Sequence, residues 1–98
     1  MARMIEASQA TLEMLAASAV AGTDARLLAP RIALAKVDAT RCFEYCAREA
    51  SQILGGASYL RQGVGERVER LYREVRVLAI GGGSEEIMLD FAVRGAKL

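Results

Sequence analysis

The sequence predicts an all-α fold, an antiparallel bundle of about four helices, and three observations lead to that reading. Apolar residues recur at three- and four-residue spacing in four separate stretches, and glycine-containing breaks separate those stretches. No segment alternates apolar and polar residues between turn signals as a strand would. The β-branched stretch from Val75 to Ile80 continues a helical pattern instead of starting a new one.

The first helix is expected from Met1 to about Ala21, with Ile5, Ser8, Leu12, Leu15 and Ala19 on one side and Glu6, Gln9 and Glu13 elsewhere on the wheel. Gly22 is a plausible stop. The second helix is expected from Pro30 to Leu54, because proline fits a first helical turn, where its missing N–H costs nothing. Its apolar stripe is Ile32, Ala35, Ala39, Cys42, Cys46, Ala50 and Ile53, and Gly55-Gly56 ends it. A loop from Ser58 to Gly65 leads to a third helix, from about Glu66 to Ala79, with Val68, Leu71, Val75 and Leu78 inward. In this helix Glu66 with Arg70, and Glu69 with Arg73, stand in the favoured i,i+4 order. Gly81-Gly82-Gly83 then breaks the chain. Ser84 is placed to cap a last helix that ends near Arg94, and Glu85 and Glu86 complement its dipole. Ile87, Met88, Phe91 and Ala92 are expected inward, and the helix is apolar on more than one side, which calls for burial on two faces.

A chain of 98 residues fits one small domain with a thin core, burying about 60–65% of its extended surface. The hydrophobic share is 53% and the mean hydropathy +0.20, more apolar surface than such a core hides. That surplus suggests burial against another subunit or domain. The net charge is +1 with signs interspersed, so nothing calls for nucleic acid or an acidic membrane, and the arginines of the third helix read as a salt-bridged face. No apolar run is long enough to span a bilayer. Histidine is absent, which excludes histidine acid–base chemistry and histidine metal sites. Cys42 and Cys46 are four apart on a helix, neither a zinc framework nor a redox pair, and no metal site is expected. Free cysteines suit a reducing cytosol, and the composition a bacterial one.

The stretch Gln52-Ile-Leu-Gly-Gly-Ala-Ser-Tyr-Leu-Arg61, then Val68 to Val77, then Gly82-Gly-Ser-Glu-Glu-Ile87 resembles the acyl-CoA dehydrogenase family, in its C-terminal helical domain. Ala33-Leu-Ala-Lys36 fits the helix that leads into the motif, and the resemblance covers about residues 30 to 94. It implies a flavoprotein that removes two hydrogens across Cα–Cβ of an acyl-CoA thioester and passes a hydride to FAD. Gln52, Gly55 and Gly56 match a Gln-x-x-Gly-Gly motif that contacts the adenosine diphosphate half of FAD held by a neighbouring subunit. The physical chemistry agrees, since a glutamine side chain donates and accepts and glycines let backbone N–H groups approach oxygens. Ser84, Glu85 and Glu86 match positions that touch the cofactor, and Gly83 matches a loop glycine near the substrate.

Gly82 is the main departure. Many members carry there the glutamate that abstracts the α-proton, whereas a subgroup including isovaleryl- and long-chain-type dehydrogenases has glycine and places its base on an earlier helix of the domain. No catalytic residue is therefore assigned in this sequence, and Glu85 and Glu86 read as dipole-complementing surface residues. The loop from Arg61 to Glu69 is longer than the commonest spacing, and Gln62 replaces an acid or asparagine. The family's middle β domain has no counterpart here. Residues 1 to 98 are expected to be part of the C-terminal helical domain, inactive alone, and to assemble as a homo-oligomer, dimer or tetramer. Acyl-CoA oxidases and nitroalkane oxidases share the fold, and their discriminating residues lie outside this segment. A stand-alone helical dimerisation module that reuses the bundle is the alternative.

Overall fold

The computed structural model describes residues 1–96, and among them there are four α-helices and no strand. Helix α1 is Ala2–Val20, α2 Ala25–Leu54, α3 Glu66–Ile80 and α4 Glu85–Gly95. Two short 3₁₀ turns, Gly55–Tyr59 and Gly63–Gly65, occupy the connection expected to be a loop. All-α is thus the observed class.

The long α2 is the spine, and the other three helices pack on it. Each runs antiparallel to it. Arg31 of α2 meets Met14 of α1, Glu44 pairs with Arg76 of α3, and Pro30 lies against Gly95 at the end of α4. Helix α3 therefore flanks the C-terminal half of α2 and α4 its N-terminal half, following one another along the same side. The shape is elongated, 48 × 24 × 19 Å, with a radius of gyration of 16.1 Å against about 13 Å for a compact domain of this size.

Helix α2 begins five residues before Pro30, which corrects the expected boundary. Asp24 is the N-cap, its carboxylate accepting from the Arg26 N–H at 2.8 Å, and Pro30 sits inside the helix. A proline there leaves the Arg26 carbonyl without its i+4 donor. The ring is nonetheless buried, because α4 packs against it through Gly95, where a Cβ would overlap the ring.

The core is thin. Its buried apolar residues are Leu15, Leu28, Ala33, Val37, Cys42, Ala47, Val75 and Ala92. On α2 these occupy a different face from most of the expected stripe. Ile32, Ala39 and Ile53 are exposed, and of the stripe Cys42 alone is fully buried. The reason is that α2 has partners on two sides. Ala33, Val37 and Ala47 are buried away from that stripe, whereas the stripe containing Ile32, Ala35, Ala39 and Cys46 faces α1 across an open groove. Leu71 and Leu78 of α3, and Ile87 and Phe91 of α4, were expected inward and are exposed; Val75 and Ala92 supply the buried contacts instead. A bundle in which three helices pack chiefly on one spine has no second layer among the described residues to cover those side chains.

Candidate functional site

Two glycine-containing breaks carry the residues singled out in the sequence. The first is the C-terminal end of α2. Gly55 is the C-cap with φ +57, its N–H donating to the Gln52 carbonyl. Gln52, Gly55 and Gly56 are all exposed, and the space a Cβ would occupy at either glycine is open. A side-chain amide and a stretch of backbone without side chains are thus presented together to the outside.

This turn is fixed by its own residues. Ser58 is buried, its hydroxyl within 2.8 Å of Ser51 Oγ and of the Gly55 carbonyl and 3.0 Å from the Ser51 carbonyl. The chain then crosses itself so closely that a Cβ at Gly65 would fall inside the van der Waals envelope of the Ala57 carbonyl. Only glycine allows that crossing.

The second break is Gly81 to Ser84. Gly81 closes α3, its N–H donating to Val77 O at 2.7 Å. Gly82 and Gly83 follow with φ of +71° and +119°, a region that side chains rarely adopt. Ser84 is the N-cap of α4, as expected, and its carbonyl accepts from the Met88 N–H at 3.0 Å. Its hydroxyl makes no capping hydrogen bond, which corrects the expected role of the side chain.

This loop is held by α2. Lys36 Nζ donates to the Ala79 carbonyl at 2.8 Å and to the Gly83 carbonyl at 2.7 Å, gripping both ends of the break. One turn along, Arg41 pairs with Glu85. That hydrogen bond, helped by the charges of Arg41, Arg76 and Lys36, holds the Glu85 carboxyl below the usual carboxylate range, and Arg41 is raised in return. Glu85 is therefore ionised and committed to an arginine, while Glu86 is exposed in the first turn. Gly82 offers no side chain.

The two breaks do not form one pocket. Lys36, beside the second, and Gln52, at the first, are separated by roughly 24 Å along α2. Along that length Arg76 joins Glu44 across the helices. On α3 itself Arg73 pairs with Glu69 at 3.1 Å, whereas Arg70 pairs with Glu74 at 2.9 Å and not with Glu66 as expected. The arginine face is a salt-bridged one.

On the other side of α2 lies an open apolar groove of about 730 Å³, lined by Ile5, Leu12 and Leu15 of α1 and by Ile32, Ala39 and Phe43 of α2, among others. Cys42 and Cys46 are free thiols at its floor, and burial first, then hydrogen bonding from Cys42, pushes the Cys46 thiol above its ordinary range. A protonated half-buried thiol is a poor nucleophile and a poor metal ligand. Among the described residues there is no acidic, cysteine or histidine cluster able to hold a metal ion, and no helix long and apolar enough to cross a membrane.

The sequence placed Lys36 in a family-like stretch but did not show the partners of Lys36 or Arg41. A lone lysine between Ala33, Ala35 and Val37 was the available signal, since an ammonium set among small apolar residues on a packed helix needs acceptors from a neighbouring element.

Comparison with known proteins bears on the same segments. Acyl-CoA dehydrogenase AFT10-1 of Alternaria alternata is 56% identical over 61 residues, 62% of this chain and 14% of that protein. Acyl-CoA dehydrogenase apdG of Emericella nidulans is 39% identical over 62 residues, 63% of this chain and 14% of that protein. The probable acyl-CoA dehydrogenase YdiO of Escherichia coli K12 is 43% identical over 54 residues, 51% of this chain and 14% of its own length. The chain thus spans about a seventh of the length of these relatives. No solved structure matches it with significance. The sequence model described as "Acyl-CoA dehydrogenase, C-terminal domain" matches residues 1–97, and on that match the chain belongs to the acyl-CoA dehydrogenase family.

Proposed function

We propose that this chain is part of the helical C-terminal domain of an FAD-dependent, cytosolic dehydrogenase that introduces a Cα–Cβ double bond into an acyl-CoA thioester. In this reading it contributes cofactor-contacting and subunit-contacting surface and is inactive alone. The observation that carries the proposal is a C-terminal-domain match running through nearly the whole chain, in a chain spanning only 14% of its relatives' length.

The residues present fit a flavin dinucleotide at the first break. Gln52 offers an exposed amide that both donates and accepts, and Gly55 and Gly56 leave open space for phosphate or ribose oxygens to reach the backbone. FAD, when bound, supplies hydride acceptance. Ser84, Glu85 and Glu86 border the reaction site from the second break, Glu85 with its carboxylate fixed by Arg41, and Gly83 lies nearest the acyl group. Glycine at position 82 makes room there and places the proton-abstracting base on another part of the complete protein, as in the isovaleryl-type subgroup. The roughly 24 Å between the breaks suits a cofactor end and a reaction end served by different subunits.

Surface area supports assembly. The accessible area is 7252 Å², against roughly 5,400 Å² for a compact monomer of 10.5 kDa. The surplus exceeds the roughly 800 Å² that one partner contributes to a standard interface. The same surplus favours the second reading, a stand-alone helical module that self-associates without flavin.

Activity and assembly separate the readings. Incubated with FAD, a panel of acyl-CoA thioesters and an electron acceptor, this chain should show no turnover; turnover would overturn its inactivity alone. A chimera in which residues 30–94 replace the matching segment of the E. coli relative should retain flavin and turn over acyl-CoA. A chimera that folds yet loses flavin, while the free chain forms a stable oligomer, would give the module reading the advantage.

A further inference from the structure

We infer that Lys36 is a positioning residue for the Gly81–Ser84 loop, setting the conformation in which that loop faces the reaction site. The inference rests on the proposed dehydrogenase reading for the word "reaction", but the grip itself is independent of it. The loop contains two consecutive glycines at positive φ, and Ser84 adds no side-chain cap to hold them. Lys36 supplies the restraint from outside, donating to the Ala79 carbonyl at the end of α3 and to the Gly83 carbonyl just before α4. One ammonium thus fixes the distance between two helices that follow one another along the same side of α2.

The grip also sets direction. A trans peptide whose carbonyl turns toward Lys36 points its N–H the opposite way. The Gly83–Ser84 peptide therefore presents the Ser84 N–H away from the Lys36 ammonium. Lys36 is half-buried and its stem borders the apolar α1–α2 groove, so the side chain has little room to swing away. Arg41, five residues on, holds Glu85 from the same helix, so the loop and the start of α4 are both tied to α2.

The test has two arms. In the free chain, the Lys36 ammonium should show through-hydrogen-bond couplings to the carbonyl carbons of Ala79 and Gly83, and the Gly82 and Gly83 amides should have order parameters near the rigid value of about 0.85. In Lys36→Met, which keeps the stem and removes the donors, those two amides should fall toward about 0.6 while Val37 and Val75 stay rigid. Missing couplings in the native chain, unchanged loop amides in the variant, or equal loosening of loop and core would each overturn the inference. In the chimera, Lys36→Met should lower kcat by roughly tenfold to a hundredfold with little change in KM or flavin content, and Lys36→Arg should recover part of it. An effect on KM alone would also overturn the positioning role. An inactive chimera with an intact loop signature would sink the dehydrogenase reading and leave the grip of Lys36 standing.

Discussion

The two glycine-rich breaks solve the same problem in opposite ways. Between α2 and α3 the turn holds itself: the Ser58 hydroxyl ties three neighbouring groups and Gly65 lets backbone lie on backbone. Between α3 and α4 the loop makes only helix-end backbone hydrogen bonds of its own and is gripped from α2 by Lys36 and Arg41. The first is rigid through local sequence, the second through tertiary contact. Under the proposed dehydrogenase reading, a surface that meets a cofactor would gain from the first arrangement, and a loop lining a reaction site from one set by another helix.

Substitutions can break or sharpen this contrast. The largest effect is expected for Gly65→Ala, whose Cβ meets the unyielding Ala57 carbonyl; urea denaturation should show a loss of about 3 kcal/mol or more. A loss under half of that would mean that the crossing relaxes easily and that the first turn is no more self-locked than the second. Next comes Ser58→Ala, which deprives buried groups of a hydrogen-bond partner and should cost about 2 kcal/mol by the same measurement. Gly82→Ala should cost about 1 kcal/mol, because φ is +71° but the space around the new methyl is open. Heat denaturation that found Gly82→Ala costlier than Gly65→Ala would reverse the comparison.

The smallest effect concerns Glu85→Gln and its pH dependence. The Glu85 carboxyl is depressed by the Arg41 hydrogen bond, so its contribution is present above the unfolded glutamate range near pH 4.3 and is lost as the pH falls through the lower folded value. Both side chains lie at the surface and are only partly covered, so the difference in Tm between the native chain and Glu85→Gln should be small at pH 7 and vanish in strong acid. A difference that grew on acidification would show that something other than the ionised pair is at work.

The sequence made helix identity and most helix ends legible, because glycine and capping chemistry act locally. The third helix, expected to end at Ala79, ends at Ile80, and the second ends at Leu54 as expected. The expected start of α2 at Pro30 differs because proline has a strong local preference for a first turn, while the actual cap, Asp24, lies six residues earlier. The buried face of α2 was misread for a tertiary reason. A spine with partners on two sides carries two apolar faces, and the more continuous one looks out on the open groove. Gln52, Gly55 and Gly56 were readable as a motif. The contacts of Lys36 and Arg41 were not, since their partners are 43 to 47 residues away along the chain.

Pro30 also bears on the order in which the molecule comes apart. The hydrogen-bond ladder of α2 is interrupted there, so the turn from Ala25 to Ala29 is secured at its start by Asp24 and lacks one ladder bond to the turn beyond. Helix α1 hangs from that turn and packs chiefly on α2. Opening of α1 with the first turn of α2 therefore has a built-in stopping point at the proline ring, which α4 clamps through Gly95. Under mild denaturant the α1 amides should lose protection before those of α2 beyond Pro30, as a separate cooperative unit.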